Sequence, residues 1–564
     1  MTLRAPALRP LLMLLLVLSG CGDLAWVDVS SGPKIPESQW FTHGATVFLS
    51  PSAFEQYEEH GSGLLSARFG AGIAFTLPTT DAVAGEQAVS FGDIGLLLRP
   101  VSLDPEPDEA MGTVVLRVGF APLVAPIVVG TGDGTCTLTV SLEPLEGEVT
   151  IESTRDLAGH ISLVSAGVSG VIGQPQTVAG PGCETLSDAT LHDLENLVSV
   201  AMFQAVEETL TDPAGFVGDV IKLAGSLLGQ EVPGRLDHSP IGPGRFSLAV
   251  TPNSVDGAEP VLKVSGGTLV TPLRVGLDAE THPCAAHWAG LLAVKPTVVA
   301  PPKPDMTDSD VAISVRRDVL ETVLSEMARG GLLCGQDGFA STTMTLAEVV
   351  DSLPEGGRLA QEFGAHTPVA MRLIPGAVPT LILSGLANPA VNISMPETAV
   401  ELYLRVWDTN WLIFREVMDL AISGATPALE GPGAIIKLAQ GQVKVLSRPQ
   451  PTEGVSDAAA EALAERVLST LTNKLALFAL PPIYPYALID ARFELGENHL
   501  IVFANLDTEA APQLAAIDAP ARIEGAPSPA VGCAAGGHGR SGLPAALVLL
   551  CASLVIGRMR SARS

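Results

Sequence analysis

The feature that most constrains this chain is a duplication. A proline-rich joint, Lys295 to Pro304, holds four prolines in ten residues, a density that favours stiff, extended backbone between folded units. The same order of elements appears on either side of it. Each half opens with a short apolar strand that runs into a helix: Val47-Phe48-Leu49-Ser50 before Pro51, and Val311-Ala312-Ile313-Ser314 before Val315. Ser50 and Ser314 stand where a helix N-cap is expected, and Pro51 suits the first helical position. Gly63-Leu64-Leu65 and Gly331-Leu332-Leu333 read as the two helix ends.

Strands with period-two alternation follow in both halves. Leu138, Val140 and Leu142 alternate with Thr137, Thr139 and Ser141. Val400, Leu402, Leu404 and Val406 alternate with Glu401, Tyr403, Arg405 and Trp407. Each half then has a long late helix. The first carries Leu194, Leu197, Val198, Ala201 and Ala205; the second is capped by Ser456 and carries Leu463, Ala464, Val467, Leu471 and Leu475. Arg245-Phe246-Ser247-Leu248 and Arg492-Phe493-Glu494-Leu495 begin a closing hairpin in each half. The expectation is an α+β protein of two tandem domains, 44–293 and 309–508, with linkers at 22–43, 294–308 and 509–532.

The ends are targeting segments. Residues 1–21 place Arg4 and Arg9 before an apolar run, Leu11 to Leu18, too short to span a bilayer. Leu18-Ser19-Gly20-Cys21 resembles a bacterial lipobox, which implies lipidation of Cys21; an ordinary cleaved signal peptide is the alternative. Residues 533–564 run from Cys533 through an apolar stretch, Leu543 to Ile556, to Arg558, Arg560 and Arg563. This order resembles the C-terminal sorting signals of myxobacterial surface proteins, which implies removal near Cys533; a permanent membrane tail is the alternative. Together the two ends predict export to the outer membrane or surface of a Gram-negative cell.

Charge narrows the partners. The 32 Lys and Arg stand against 61 Asp and Glu, a formal charge of −29. Without the six arginines of the two ends, 26 basic residues face the same 61 acids, a charge of −35. That excludes nucleic acid and anionic surfaces that need a basic patch. Oligomeric state is left open.

The second half carries a resemblance. Thr345-Leu346-Ala347-Glu348-Val349-Val350 with Leu353-Pro354-Glu355, the run Leu477 to Pro482, and Leu500-Ile501-Val502-Phe503-Ala504 resemble the tubular lipid-binding superfamily. The nearest likeness is to bactericidal/permeability-increasing and lipopolysaccharide-binding proteins. The likeness implies two domains in a boomerang, each a curved antiparallel sheet wrapped around a long helix over an apolar pocket. It implies a non-catalytic protein that binds or carries lipids or other apolar small molecules. Leu320, Leu324, Val467, Leu471, Leu402 and Leu404 are the expected lining. A filled core at the same residues, in a structural or adhesive surface lipoprotein, is the competing reading. The antibacterial members use a basic tip that this acidic chain lacks, so lipopolysaccharide binding is not carried over.

Seven cysteines are present. Apart from the targeting ends, Cys136, Cys183, Cys284 and Cys334 remain in an oxidising compartment and allow three pairings, of which the local ones, Cys136–Cys183 and Cys284–Cys334, are favoured. His282, Cys284 and His287 lie close in sequence but lack a fourth ligand, so no metal site is expected. Asp104, Glu106, Asp108 and Glu109 read as a solvated acidic loop, Gly130 to Gly134 as a turn, and Asn392-Ile393-Ser394 as a bare acceptor motif. Serine-hydrolase, metalloprotease and P-loop motifs are absent, so neither catalysis nor a cofactor is expected.

Overall fold

The strand Trp40–Leu49 pairs with Val311–Arg316, antiparallel, so the opening strands of the two halves lie side by side. This is seen in a computed structural model that describes residues 25–27, 35–132, 134–155, 161–228, 234–238, 245–252, 263–285, 299–300, 302–331, 344–385, 389–406, 409–430, 435–439, 441–474, 476–479 and 485–512. The signal segment with Cys21, the tail with Cys533, Cys334, His287 and half of the proline joint lie outside these residues. Residues 22–526 form one unit by their internal contacts.

The helices are α1 (Pro51–Glu59), α2 (Gly61–Phe69), α3 (Asp188–Thr211), α4 (Phe216–Leu227), α5 (Arg317–Arg329), α6 (Leu346–Val349), α7 (Gly356–Phe363) and α8 (Asp457–Lys474). The architecture is α+β. In each half a curved antiparallel sheet wraps a long helix, α3 in the first and α8 in the second. A central sheet joins the halves. It runs Ala25–Val27, Gly234–His238, Arg245–Pro252, Thr268–Glu280, Trp40–Leu49, Val311–Arg316, His499–Leu506, Leu488–Leu495.

Both faces of that sheet are covered at its middle, where Val311–Arg316 is buried throughout and His499–Leu506 nearly so, which explains why these strands do not alternate between apolar and polar residues. Val47, Ile313 and Val502 stand in one cross-strand row and belong to the main core. Phe48, Ala312 and Phe503 form the next row and point to the other side, where Val270 and Met306 pack on them.

The N-cap expectation holds at Ser50, which accepts from the Ala53 N–H at 3.3 Å, with Pro51 in the first turn. It fails at Ser314. All six residues of Val311–Arg316 are buried, so the strand runs two residues further and Arg316 takes the cap position. The Arg316 side chain is fully buried. It pairs with Asp318, donates to the Thr42 carbonyl at 2.9 Å and lies over the Phe41 ring. Gly63 does not end a helix either: α1 stops at Glu59, and Gly63, Leu64 and Leu65 lie within α2, the two leucines fully buried.

Ser456 caps α8 through the Ala459 N–H at 3.2 Å. Thr345 and Glu348 form a reciprocal capping box on α6. Gly130 to Gly134 closes a hairpin, with Thr131 opposite Gly134. The acidic stretch is not a loop. Asp104 and Glu106 lie in the strand Pro100–Asp108, and both pair with Arg117 at 3.3 and 2.6 Å. Cys136 and Cys183 form a disulfide that ties the strand Gly134–Leu142 to the turn before α3. Cys284 is also disulfide-bonded.

Candidate apolar binding site

A crease in the first-half sheet positions the candidate site. Ile94–Leu98 and Pro100–Asp108 are one strand course broken at Arg99, just before Pro100. Thr113–Phe120 and Leu123–Thr131 are broken at Pro122, Gly134–Leu142 and Leu145–Arg155 at Pro144, and Ile161–Ile172 and Gln176–Ala179 at Pro175. The register aligns the four breaks: Pro100 lies opposite Phe120, Leu123 opposite Leu142, and Leu145 opposite Ile172. Proline has no N–H to give a ladder, so prolines at neighbouring positions stop the sheet along one line and let it bend.

The sheet forks at this crease. On one side Pro100–Asp108 stays bonded to Thr113–Phe120. On the other, Ile94–Leu98 pairs with Ile73–Leu77 instead. Leu123–Thr131 keeps only Ser90 and Val89 on that edge, opposite Gly130 and Thr131 at its far end. The Ala121 N–H, donating to the Arg99 carbonyl at 2.9 Å, is the hydrogen bond at the vertex.

A cavity of about 690 Å³ lies in the fork, lined by residues 74–76, 95–97, 99 and 121–124. Phe75, Leu96, Leu97 and Leu123 supply apolar walls. Phe75 and Leu123 are buried, while Leu96 and Leu97 are half-buried. Gly95 is on the wall, and a side chain added there meets no atom within 4 Å. The volume falls in the usual range for small-molecule pockets. Arg99 is exposed at the rim, and its side chain makes no hydrogen bond or ion pair among the described residues. A smaller cavity of about 310 Å³ lies across the outer face of α3, between Pro175 and Val200, Phe203 and Glu207.

The six residues expected to line a pocket are elsewhere. Leu320 and Leu324 lie on α5, Leu402 and Leu404 on the strand Ala390–Val406, and Val467 on α8. All five are at most 1% exposed and share one hydrophobic cluster. Leu471 lies on α8, and its side chain is outside the described residues. None of the other five is among the described residues that line either cavity. The outward partners of that strand are also less exposed than alternation implies: Glu401 is buried between Arg372 and Arg415, accepting from the Tyr403 hydroxyl at 2.6 Å. The fork was missed because its walls are short strands with no distinctive pattern. The signal that could have found it is proline phase: Pro100, Pro122 and Pro144 recur every 22 residues along an antiparallel meander.

Of the triplet His282, Cys284 and His287, the last lies outside the described residues. Cys284 is in a disulfide, and His282 Nδ1 faces it, 3.1 Å from the Cys284 N–H and 2.9 Å from its sulfur. Burial, and then the charge of Arg372, hold His282 below the usual histidine value.

No protein-family model and no curated sequence matches the chain. Among solved structures, lipopolysaccharide binding protein matches at 11% identity and a TM-score of 0.45, covering 82% of this chain and 99% of that one. P47 from Clostridium botulinum A2 matches at 8% identity and a TM-score of 0.20, covering 84% and 98%. Takeout 1 from Epiphyas postvittana matches at 12% identity and a TM-score of 0.16, covering 31% and 84%.

Proposed function

We propose that this chain is a non-catalytic binder or carrier of lipids or other apolar small molecules at the bacterial cell envelope, built on the tubular lipid-binding plan. One observation carries the reading: a cavity of about 690 Å³ at the proline crease, lined in part by the apolar side chains Phe75, Leu96, Leu97 and Leu123. An acyl chain transferred from water into such a space gains about 0.8 kcal/mol per buried methylene. On this reading the protein is exported, anchored through a lipid on Cys21 and sorted through the tail that begins at Cys533. The boundaries of that exported body are the domains 44–293 and 309–508.

The burial of Leu320, Leu324, Leu402, Leu404 and Val467 favours the second reading for the other half, a filled core with structural work only. Solvent extraction of the full-length protein, purified from the cells that make it, separates the two. A stoichiometric acyl species in the mass spectrum supports the carrier and names its cargo. A clean extract, with no uptake of a fluorescent fatty-acyl probe, leaves a structural surface lipoprotein.

A further inference from the structure

Among the described residues that line the fork cavity Arg99 is the one cation, and its side chain makes no hydrogen bond or ion pair with any of them. In the first half, the other arginines whose side chains are described each meet a carboxylate. Arg68 pairs with Asp219 at 2.7 Å, Arg117 with Asp104, Glu106 and Glu148, Arg245 with Asp278 at 2.8 Å, and Arg274 with Glu37 at 2.7 Å. With acids in a two-to-one excess over bases, a free arginine is the exception. The acids nearest in sequence on the following strand, Asp104 and Glu106, are held by Arg117.

Arg99 is also fixed in place. It follows Leu98, which is 1% exposed, and precedes Pro100, and its carbonyl takes the vertex hydrogen bond from Ala121. Its backbone therefore sits at the closed end of the fork, and the residue is exposed and lines the cavity. The walls running away from it, Phe75, Leu96, Leu97 and Leu123, are apolar. A planar guanidinium beside an apolar slot matches an amphiphile with one oxyanion head and one chain, since the fork of N–H donors fits a carboxylate or phosphate in two parallel bonds.

We propose that the cavity takes a single-chain anionic amphiphile, its acyl chain in the sheet fork and its head group on Arg99. This rests on the apolar-ligand reading above and adds to it the charge and the orientation of the ligand. The head stays at the water-facing rim, so the anion keeps part of its hydration. The overall negative charge of the protein opposes an approaching anion at long range, so the pairing with Arg99 has to offset it.

The test uses the full-length protein with hexadecanoate, its uncharged methyl ester and hexadecyl phosphate as competitors of a fluorescent fatty-acyl probe. The variants are Arg99→Ala, Arg99→Glu and Gly95→Leu, with far-UV circular dichroism as the folding control. Hexadecanoate and the phosphate are expected to outcompete the ester by about fivefold, an advantage of the size of a partly exposed ion pair. Arg99→Glu removes that advantage and leaves the ester unchanged, and 0.5 M salt shrinks it. Gly95→Leu weakens all three. If only one of the two anions shows the advantage, that identifies the head group. Equal binding of acid and ester, unmoved by Arg99→Glu but lost in Gly95→Leu, overturns the anionic assignment and leaves an apolar carrier. Binding unaffected by both Arg99→Glu and Gly95→Leu places the ligand elsewhere and overturns the inference. No binding of any probe overturns the function and the inference together.

Discussion

The Asp310 carboxylate accepts the Ser52 hydroxyl at 2.8 Å, a bond between residues 258 positions apart that stitches the start of α1 to the strand of the second half. Its other oxygen accepts the Leu506 N–H at 3.0 Å, and its backbone carbonyl accepts the Ser50 N–H at 2.9 Å. One residue thus holds three segments at the place where Val311 lies opposite Leu49. The proline joint does not separate two independent sheets; the chain crosses it and returns to pair with its own first strand.

Asp310→Ala leaves two donors without their acceptor and is expected to cost about 1–3 kcal/mol. The shared sheet also predicts that both halves unfold in one transition. Urea melts followed by tryptophan fluorescence and by far-UV circular dichroism should coincide. Two separated transitions in the wild-type protein would show that the sheet does not couple the halves.

Glu326 predicts a pH dependence with a definite sign. Burial pushes its carboxyl up to about 7, against the pull of Arg329 at 2.5 Å and with a smaller push from Asp278. Between 4.5 and about 7 the native state holds a proton that the unfolded chain has released, so stability falls as pH rises through that window. The span corresponds to about 3 kcal/mol. His282 and His499 act in the opposite sense. Burial, helped by Arg372 and Arg316 respectively, keeps them below 6.5, so their contribution is present above 6.5 and is lost on acidification. The stability of wild type relative to Glu326→Gln should therefore fall between pH 5 and pH 8, while Glu326→Gln itself, carrying only the histidine contribution, grows more stable. A difference that does not change with pH would show that Glu326 titrates normally.

Local order was legible in the sequence because it depends on local physics. Ser50 with Pro51 and Ser456 with an apolar face give their helices away, since a capping oxygen and a 3.6-residue period need no distant partner. Ser314 misled for the same reason: it is a good cap in isolation, but a six-residue run buried on both faces outweighs it. The central sheet was not legible. Alternation says which way a side chain points, and nothing in Val47-Phe48-Leu49 says that Val311 will lie beside it. The expected lining residues show a different limit. Leu320, Leu324, Leu402, Leu404 and Val467 are buried, and in sequence an inward residue of a filled core has the same pattern as an inward residue of a tunnel.

The disulfide offers a third test. Cys136 and Cys183 close a loop of 47 residues that contains the Pro144 and Pro175 breaks of the crease. Closing a loop of that length restrains the unfolded chain, and its loss is expected to cost about 2–4 kcal/mol. The double variant Cys136→Ala with Cys183→Ala should lower the urea midpoint accordingly. The same variant reports on the fork. The bridge pins the strand Gly134–Leu142, whose neighbour Leu123–Thr131 forms one wall. Probe affinity at the cavity should fall with the midpoint. An unchanged midpoint would mean that the bridge contributes no stability.

Leu402 decides whether the second half holds a ligand or only itself. It is fully buried, opposite Met371 on one side and Phe414 on the other, with Leu404 two residues on in the same cluster. Truncation of a side chain in a filled core removes its transfer energy and leaves a void, so Leu402→Ala is expected to cost about 2–5 kcal/mol. In a ligand-lined tunnel the same change would enlarge a space already present and cost much less, while altering the bound species. The measurement is therefore a pair: the urea midpoint and the acyl content of the purified protein. A large loss of stability with unchanged acyl content makes Leu402 a core residue and leaves the fork as the binding site. A small loss with a changed acyl profile would place a ligand against the strand Ala390–Val406.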